Sequence, residues 1–353
     1  DMQKIIRAIA IIGTALVMPA LTPAPAVAAE PVMVGYLPAF KGLEEALRTT
    51  PIDGYTHINI AFANPDASGA LASDGEMTCM AVGSGEHASV AMLREAVTRL
   101  KRKGAKVLLS VAGGVIPSCS GDWAQLLASD RGAAVRDGLL ELVDAAGFDG
   151  IDIDIEGALL TQIDREGHYT PFIAELSKAL KARGKLLTVA TASYEGGMIP
   201  VSSIPYFDLV MPMSYDAIGP SWGEAGSEHS TYAQAQRDLD LWLRRGVAPE
   251  RLALGLPFYG YGFGSFDADY AFASLIAASP HEALTQDIIG EACDSCDYIT
   301  FNSLATIRQK TRLAMEKAGG VMVWEMTQDT HDQLLGRTIE ASLRSAKNTQ
   351  KPD

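Results

Sequence analysis

Phe148-Asp149-Gly150-Ile151-Asp152-Ile153-Asp154-Ile155-Glu156-Gly157 alternates isoleucine and acid without a break from Ile151 to Glu156. A period of two is the period of a β-strand, whose successive side chains point to opposite faces. Asp152, Asp154 and Glu156 therefore share one face, spaced about 6.5–7 Å apart. Ile151, Ile153 and Ile155 share the other. Carboxylates this close resist ionising together. Sharing protons relieves that cost, and shared protons are what acid–base chemistry uses. The competing reading is a buried acidic ladder that caps helices or holds a structural ion.

Outward from this strand the chain repeats one unit, a short apolar strand followed by an amphipathic helix. Strands are expected at 32–37, 55–63, 106–112, 148–156, 186–193, 207–215, 252–259 and 320–326. Helices are expected at 89–103, 123–146 with a break near Arg131-Gly132, 169–183, 232–245, 303–318 and 331–346. Glycine follows several of them, at Gly104, Gly147, Gly184, Gly246 and Gly319, as helix C-caps require. Eight strands with helices between them predict an α/β fold, a (β/α)8 TIM barrel forming a single catalytic domain. The rival is an open doubly wound sheet, whose first turn normally carries a glycine-rich nucleotide loop. Two inserts interrupt the repeat, 64–87 after the second strand and about 260–301 between strand 7 and helix 7. Both leave from C-terminal strand ends, the face where barrels place active sites.

The run D-G-I-D-I-D-I-E resembles the D-x-x-D-x-D-x-E signature of family-18 glycoside hydrolases, the family of many chitinases, here of a secreted bacterial type. Further matches follow along the chain. Met213, Tyr215 and Asp216 resemble an M-x-Y-D pattern at the end of strand 6. Trp324 on strand 8 matches the tryptophan that floors the cleaved sugar's site. Tyr36 and Phe62 match aromatic positions lining the same pocket. The family usually shows S-x-G-G on strand 3. Ser110-Val111-Ala112-Gly113-Gly114 reads as that motif with one extra residue, so Gly113 and Gly114 are retained as a close backbone approach and Ser110 is set aside. Tyr261 stands where many relatives carry an arginine. The insert at 260–301 matches the position of an extra α+β subdomain in some members, but it is shorter, which implies a shallower cleft.

The resemblance implies roles. Glu156 is the general acid. Asp154 orients the substrate's acetamido group and exchanges hydrogen bonds with Asp152 and Glu156, and Tyr215 donates to a substrate oxygen. Trp324, Met213, Asp216, Tyr36, Phe62, Gly113 and Gly114 contact the sugar. Asp149 matches the first acid of the motif and equally suits a structural place at the strand start. A two-carboxylate retaining hydrolase needs a nucleophile about 5–5.5 Å from its acid. Asp154, a strand neighbour, suits proton exchange better than attack. The implied mechanism is substrate-assisted hydrolysis with retention.

Composition agrees with a neutral glycan partner. The 353 residues are 48% hydrophobic, with a formal net charge of -14. That charge argues against nucleic acid or an anionic membrane as partner. H-E-x-x-H, G-x-x-x-x-G-K-[ST] and G-x-G-x-x-G patterns are absent from the sequence, so no metal and no cofactor is expected. Lys4 and Arg7, the apolar run Ala8–Met18 and Ala26-Val27-Ala28 read as a signal peptide over residues 1–28. Residues 29–346 then form the catalytic barrel and 347–353 a tail. Secretion or export to the periplasm would suit disulfides. Four cysteines allow three connectivities, and Cys79–Cys119 with Cys293–Cys296 is preferred because Cys79 and Cys119 follow neighbouring strands.

The expected function is therefore a chitinase acting on β-1,4-linked N-acetylglucosamine. Three rivals remain open. An endo-β-N-acetylglucosaminidase cutting the chitobiose core of N-glycans would share every catalytic residue. A non-catalytic chitin-binding lectin would lack the terminal motif acid, which Glu156 supplies. A metal-dependent enzyme would use the acidic row as oxygen ligands.

Overall fold

The computed structural model describes residues 30–83 and 85–349. The signal-peptide reading of 1–28 and the last four residues of the expected tail lie outside the described residues. Eight parallel strands make one sheet. In chain order they are Val32–Pro38, His57–Ala63, Lys106–Ala112, Gly150–Asp154, Leu186–Thr191, Leu209–Pro212, Ala253–Pro257 and Gly320–Trp324. Each pairs with its neighbour in sequence except the sixth with the seventh, and the eighth pairs with both the first and the seventh. A single parallel bridge between Val210 and Leu252 joins the sixth to the seventh. The result is a (β/α)8 barrel.

The fourth strand shows how alternation builds it. Ile151, Ile153 and Ile155 are fully buried in the apolar layer between sheet and helices. Each such side chain contributes about 1.5–3 kcal/mol on leaving water. Asp152 and Asp154 point the other way, into the barrel, where Tyr36, Ala190, Met211, Tyr215 and Met322 form a smaller inner core. Gly150 opens the strand because a Cβ there would stand 2.2 Å from the carbonyl oxygen of Leu186. Asp149, just before it, accepts from Val107 N–H at 2.9 Å and pairs with Lys101 at 2.7 Å. It ties the starts of two strands together, at the end of the barrel opposite Glu156.

Several strands are shorter than expected. The fourth strand ends at Asp154, and Glu156 becomes the N-cap of an unexpected helix, Gly157–Arg165. The sixth ends at Pro212, leaving Met213–Asp216 as a loop. The expected seventh strand is split into Ala253–Pro257 and Tyr259–Phe263, the latter belonging to a different sheet. The broken helix is two, Trp123–Leu127 and Arg131–Ala146. The last helix spans Leu334–Thr349, so it takes in the first residues of the expected tail.

Both inserts fold. The first forms a three-stranded antiparallel sheet, Ala72–Ser73, Glu76–Ala81 and His87–Ser89. The second, with Tyr259–Phe263, forms a four-stranded antiparallel sheet and two short helices, Phe272–Ala278 and Pro280–Thr285. Cys79 is bonded to Cys119, with Cα atoms 5.5 Å apart, and Cys293 to Cys296. No helix among the described residues is long and apolar enough to cross a membrane.

Candidate active site

The three inward acids sit in three different environments. Asp152 is fully buried and accepts three hydroxyl hydrogen bonds. Tyr36 Oη donates at 2.7 Å from the first strand, Ser110 Oγ at 2.7 Å from the third and Thr188 Oγ1 at 2.6 Å from the fifth. Burial pushes its carboxyl up, and these donors pull against that shift. With its oxygens so engaged, Asp152 is poorly placed to ligate a metal.

Asp154 lies one strand step nearer the barrel mouth and is 3% exposed. Burial, then the charges of Glu156 and Asp152, hold its carboxyl well above the usual range. Its hydrogen-bond partner is Glu156, and its Oδ1 has no partner in the protein. Glu156 is pushed up to about 7, first by burial and then by the charge of Asp216, while the bond from Asp154 works the other way. Both carboxyls of the pair are thus displaced toward the protonated form. An acid poised near the working pH is what general acid catalysis needs.

Asp154 and Glu156 open into a cavity of about 480 Å³ that Tyr36, Phe62, Met213, Tyr215, Asp216 and Trp324 also line. Trp324 lies 5.7 Å from Phe62, nearly parallel to it, and 5.3 Å from Tyr36. Behind it, buried Glu325 takes Lys41 Nζ at 2.8 Å and Thr327 N–H at 2.7 Å. Gly114 belongs to the wall, where a Cβ would stand 3.1 Å from Glu156 Oε1. Gly113 does not line the cavity. Its N–H donates to the Asp154 carbonyl, and a Cβ there would strike the Phe62 ring at 2.7 Å. Tyr36 offers its ring to the cavity, since its hydroxyl is committed to Asp152. Beyond Glu156 a second arm of about 730 Å³ continues, walled by Tyr194, Trp222 and Arg237.

The loop after strand 6 is held from behind. Ser214 Oγ donates to Asp238 at 2.7 Å, and the Ser214 carbonyl accepts from Ser230 Oγ at 2.7 Å. Ser230 Oγ in turn accepts from buried Lys310 at 2.7 Å, whose ammonium burial pushes down to about 7. Tyr215 is buried, with its hydroxyl 3.8 Å from Met322 Sδ. Asp216 has φ 60° and is partly exposed. It accepts from Tyr259 Oη and lies 3.7 Å from His229 Nδ1. Tyr261 packs edge-on against Tyr259, His229 and Trp222.

Several of these residues escaped the sequence reading. Setting Ser110 aside needs correction. Ser110 is in register with Asp152, and Ala112 with Asp154. Ala112 has φ 74°, a left-handed conformation that favours glycine. Ser110 thus belongs to the site through its bond to Asp152, and Ala112 takes a backbone conformation that glycine would favour. Thr188, Glu325, His229, Tyr259 and Lys310 carry no local pattern, and only the closed barrel brings them here.

Known proteins share this architecture. The GH18 chitinase ChiB from the chitin utilization locus of Flavobacterium johnsoniae superposes with a TM-score of 0.74 at 28% identity, over 90% of this chain and 94% of that one. Probable chitinase 10 of Drosophila melanogaster is 25% identical over 72% of this chain, and chitotriosidase-1 of Mus musculus 24% identical over 67%. The chain spans 13% of the length of the first of these curated relatives and 62% of the second. The model of glycosyl hydrolases family 18 matches residues 32–329, from the first barrel strand to past Trp324 with the whole carboxylate row inside, and the chain belongs to that family.

Proposed function

We propose that this chain is a chitinase, hydrolysing β-1,4-linked N-acetylglucosamine polymers or oligomers with retention by substrate-assisted catalysis. The observation that carries the reading is the Asp154–Glu156 carboxyl pair, both members pushed up by burial, facing an aromatic-walled cavity. The relatives reported above are named as chitinases or a chitotriosidase, and the proposal extends that activity to this chain.

A buried carboxyl that keeps its proton is a poor nucleophile. Burial pushes the Asp154 carboxyl well above the usual range, so it suits a donor and orienting partner better than an attacking group. Family-18 enzymes stand outside the two-carboxylate scheme because the substrate assists. In the proposed sequence the sugar over Trp324 turns its acetamido oxygen onto its own anomeric carbon. The C–O bond to the leaving sugar breaks, and Glu156 gives that oxygen its proton. Asp154 and Tyr215 hold the charged ring that forms. Glu156, now a carboxylate, takes a proton from water, which opens the ring from the face the leaving group left. Two inversions give net retention.

An export setting, after loss of residues 1–28, suits the two disulfides. The deciding experiment is a product profile on chitin oligomers, cello-oligomers, fully deacetylated oligomers and a high-mannose glycoprotein, with proton NMR of the first product. The expected result is cleavage of the acetylated oligomers alone, giving the β-anomer first. Efficient cleavage of cello-oligomers, or an initial α-anomer, would require another nucleophile. Release of the glycan from the glycoprotein, with chitin oligomers left intact, would assign the endo-β-N-acetylglucosaminidase activity instead.

A further inference from the structure

Lys310 is fully buried in the helix Leu304–Lys317, which follows the second insert, and no step proposed above uses it. Its ammonium meets three acceptors: the Ser230 carbonyl at 2.9 Å, Ser230 Oγ at 2.7 Å and Asn302 Oδ1 at 2.7 Å. An ammonium has three protons to donate and no lone pair, so all three are spent. Every acceptor is neutral. The carboxylates of Asp287, Asp238 and Glu228 act on Lys310 only through space. Two of them are engaged elsewhere, Asp287 with Ser303 N–H at 2.8 Å and Thr306 Oγ1 at 2.7 Å, and Asp238 with Ser214 Oγ at 2.7 Å. Burying a cation without a bonded carboxylate is costly, and a packed methionine would serve stability as well or better. The ammonium therefore calls for a reason other than stability.

Its bonds lead to the loop after strand 6. Ser230 Oγ receives a proton from Lys310, so its own O–H turns to the Ser214 carbonyl at 2.7 Å, in preference to Asn302 Oδ1 at 3.4 Å. That carbonyl belongs to the planar Ser214–Tyr215 peptide unit, so holding it holds the backbone at Tyr215. Asn302 Nδ2 donates to the Ser230 carbonyl at 2.7 Å, and His229 N–H to Thr300 Oγ1 at 3.2 Å. Residues 229 and 230 are thus clamped by the strand Tyr298–Thr300 and the start of the Lys310 helix. The His229 carbonyl in turn takes Ala217 N–H at 2.9 Å. The loop is tied at Ser214 and at Ala217, on either side of Tyr215 and Asp216. Asp216, at φ 60°, has a backbone conformation that persists only where the surroundings impose it. Tyr215 and Asp216 line the cavity with Asp154 and Glu156, and the charge of Asp216 reaches Glu156.

We infer that Lys310 is a positioning residue for the reaction: its ammonium locks Ser230, Ser230 locks the Ser214–Tyr215 peptide, and the loop so held keeps Tyr215 and Asp216 in place beside Asp154 and Glu156. The part of the inference that concerns turnover rests on the chitinase reading. Without the ammonium the Ser230 hydroxyl is free to turn away from Ser214, and the strained turn at Asp216 can relax. Asp216 then lies further from Glu156, water reaches the pair, and the Glu156 carboxyl falls. Loss of a cation by charge alone would raise that carboxyl, so the sign of the change separates positioning from simple electrostatics. His229, Tyr259 and Tyr261 also face Asp216, and all three stay in place in the variants below.

Carbon-13 NMR of the glutamate side chains, titrated in the free protein, tests this without substrate, the Glu156 signal being the one lost in Glu156→Gln. In Lys310→Met the Glu156 titration moves down by about half a pH unit or more. With chitin oligomers, kcat falls about tenfold or more while KM changes little, as for a contact made in the transition state. Ser230→Ala keeps the ammonium and removes only the hydroxyl link, and it gives both changes in the same direction if Lys310→Met folds poorly. Lys317→Met, on the same helix but paired with Asp240 at 2.5 Å, leaves both readings as in the parent. A Glu156 titration that stays in place or moves up in the folded variants, or an unchanged kcat, overturns the inference. A parent that cleaves no chitin oligomer overturns the chitinase reading alone, and the titration still decides whether Lys310 holds the loop.

Discussion

Tyr36 and Asp152 are separated by 116 residues in sequence and joined at 2.7 Å across the barrel interior. The phenol donates, so the bond favours the ionised form of Asp152. That charge is one of the causes that push the Asp154 carboxyl up. Tyr36→Phe removes one of three hydroxyl donors and leaves the ring over the cavity. A hydrogen bond to a charged group is worth about 1.5–3 kcal/mol. The expected outcome is a folded protein with kcat reduced about tenfold and KM changed little. Wild-type turnover would show that the remaining two donors suffice.

Glu156→Gln keeps the shape of the side chain and removes its proton. General acid–base groups contribute about 10²–10⁴ in rate. Turnover on chitin oligomers should drop by at least that factor, while calorimetry still detects oligomer binding. Near wild-type turnover would take Glu156 out of the mechanism.

The alkaline limit of activity should lie near neutrality. Glu156 must be protonated to serve the leaving group, and its carboxyl is pushed up to about 7. The kcat/KM profile should therefore decline above about pH 7. Asp216 supplies part of that upward push by its charge. Asp216→Asn still accepts from Tyr259 and carries no charge, so the limb should move to lower pH. A limb that stays in place would mean that Asp216 is not felt at Glu156.

The barrel and the carboxylate row were legible because both rest on local periods. Alternation put Asp152, Asp154 and Glu156 on one face, and repetition of strand and helix gave the eight units. The ends of strands were less legible. Pro212 and Glu156 mark exits set by loop packing and by a helix cap, not by a change in hydrophobicity. The first insert stood out in the sequence only as an interruption of the repeat, yet Met77, Cys79 and Met80 are buried and anchor a small sheet. Partners such as Thr188, His229 and Lys310 depend on which strands close next to one another, and no window of sequence holds that information.

Ala112 occupies a left-handed position at φ 74°. A residue with a Cβ loses roughly 1–2 kcal/mol there. Glycine would relieve that strain and give back about 0.5–1 kcal/mol through its looser unfolded chain. Ala112→Gly should therefore be neutral to stabilising by up to about 1 kcal/mol, an unusual sign for removing a buried methyl group. Chemical denaturation measures it. A loss beyond about 1 kcal/mol would mean that the methyl contacts outweigh the backbone conformation.

The same buried acid that serves catalysis should weaken the fold at high pH. In the unfolded chain Glu156 titrates near its ordinary value of 4.5, and in the folded protein near 7. Between those values the folded state binds more protons than the unfolded one. Stability from this group is therefore fully present below about pH 4.5 and is lost as pH rises through about 7. Asp154 is displaced in the same direction, so it adds to the loss. Glutamine cannot ionise, and its amide can still meet Asp154. Glu156→Gln should thus match the parent's Tm at pH 4 and exceed it by about 2 °C or more at pH 8. The gain comes with loss of turnover, since the proton that destabilises the alkaline fold by leaving is the one given to the sugar. A Tm difference that is the same at both pH values would show that Glu156 titrates in the folded protein as it does in the unfolded chain.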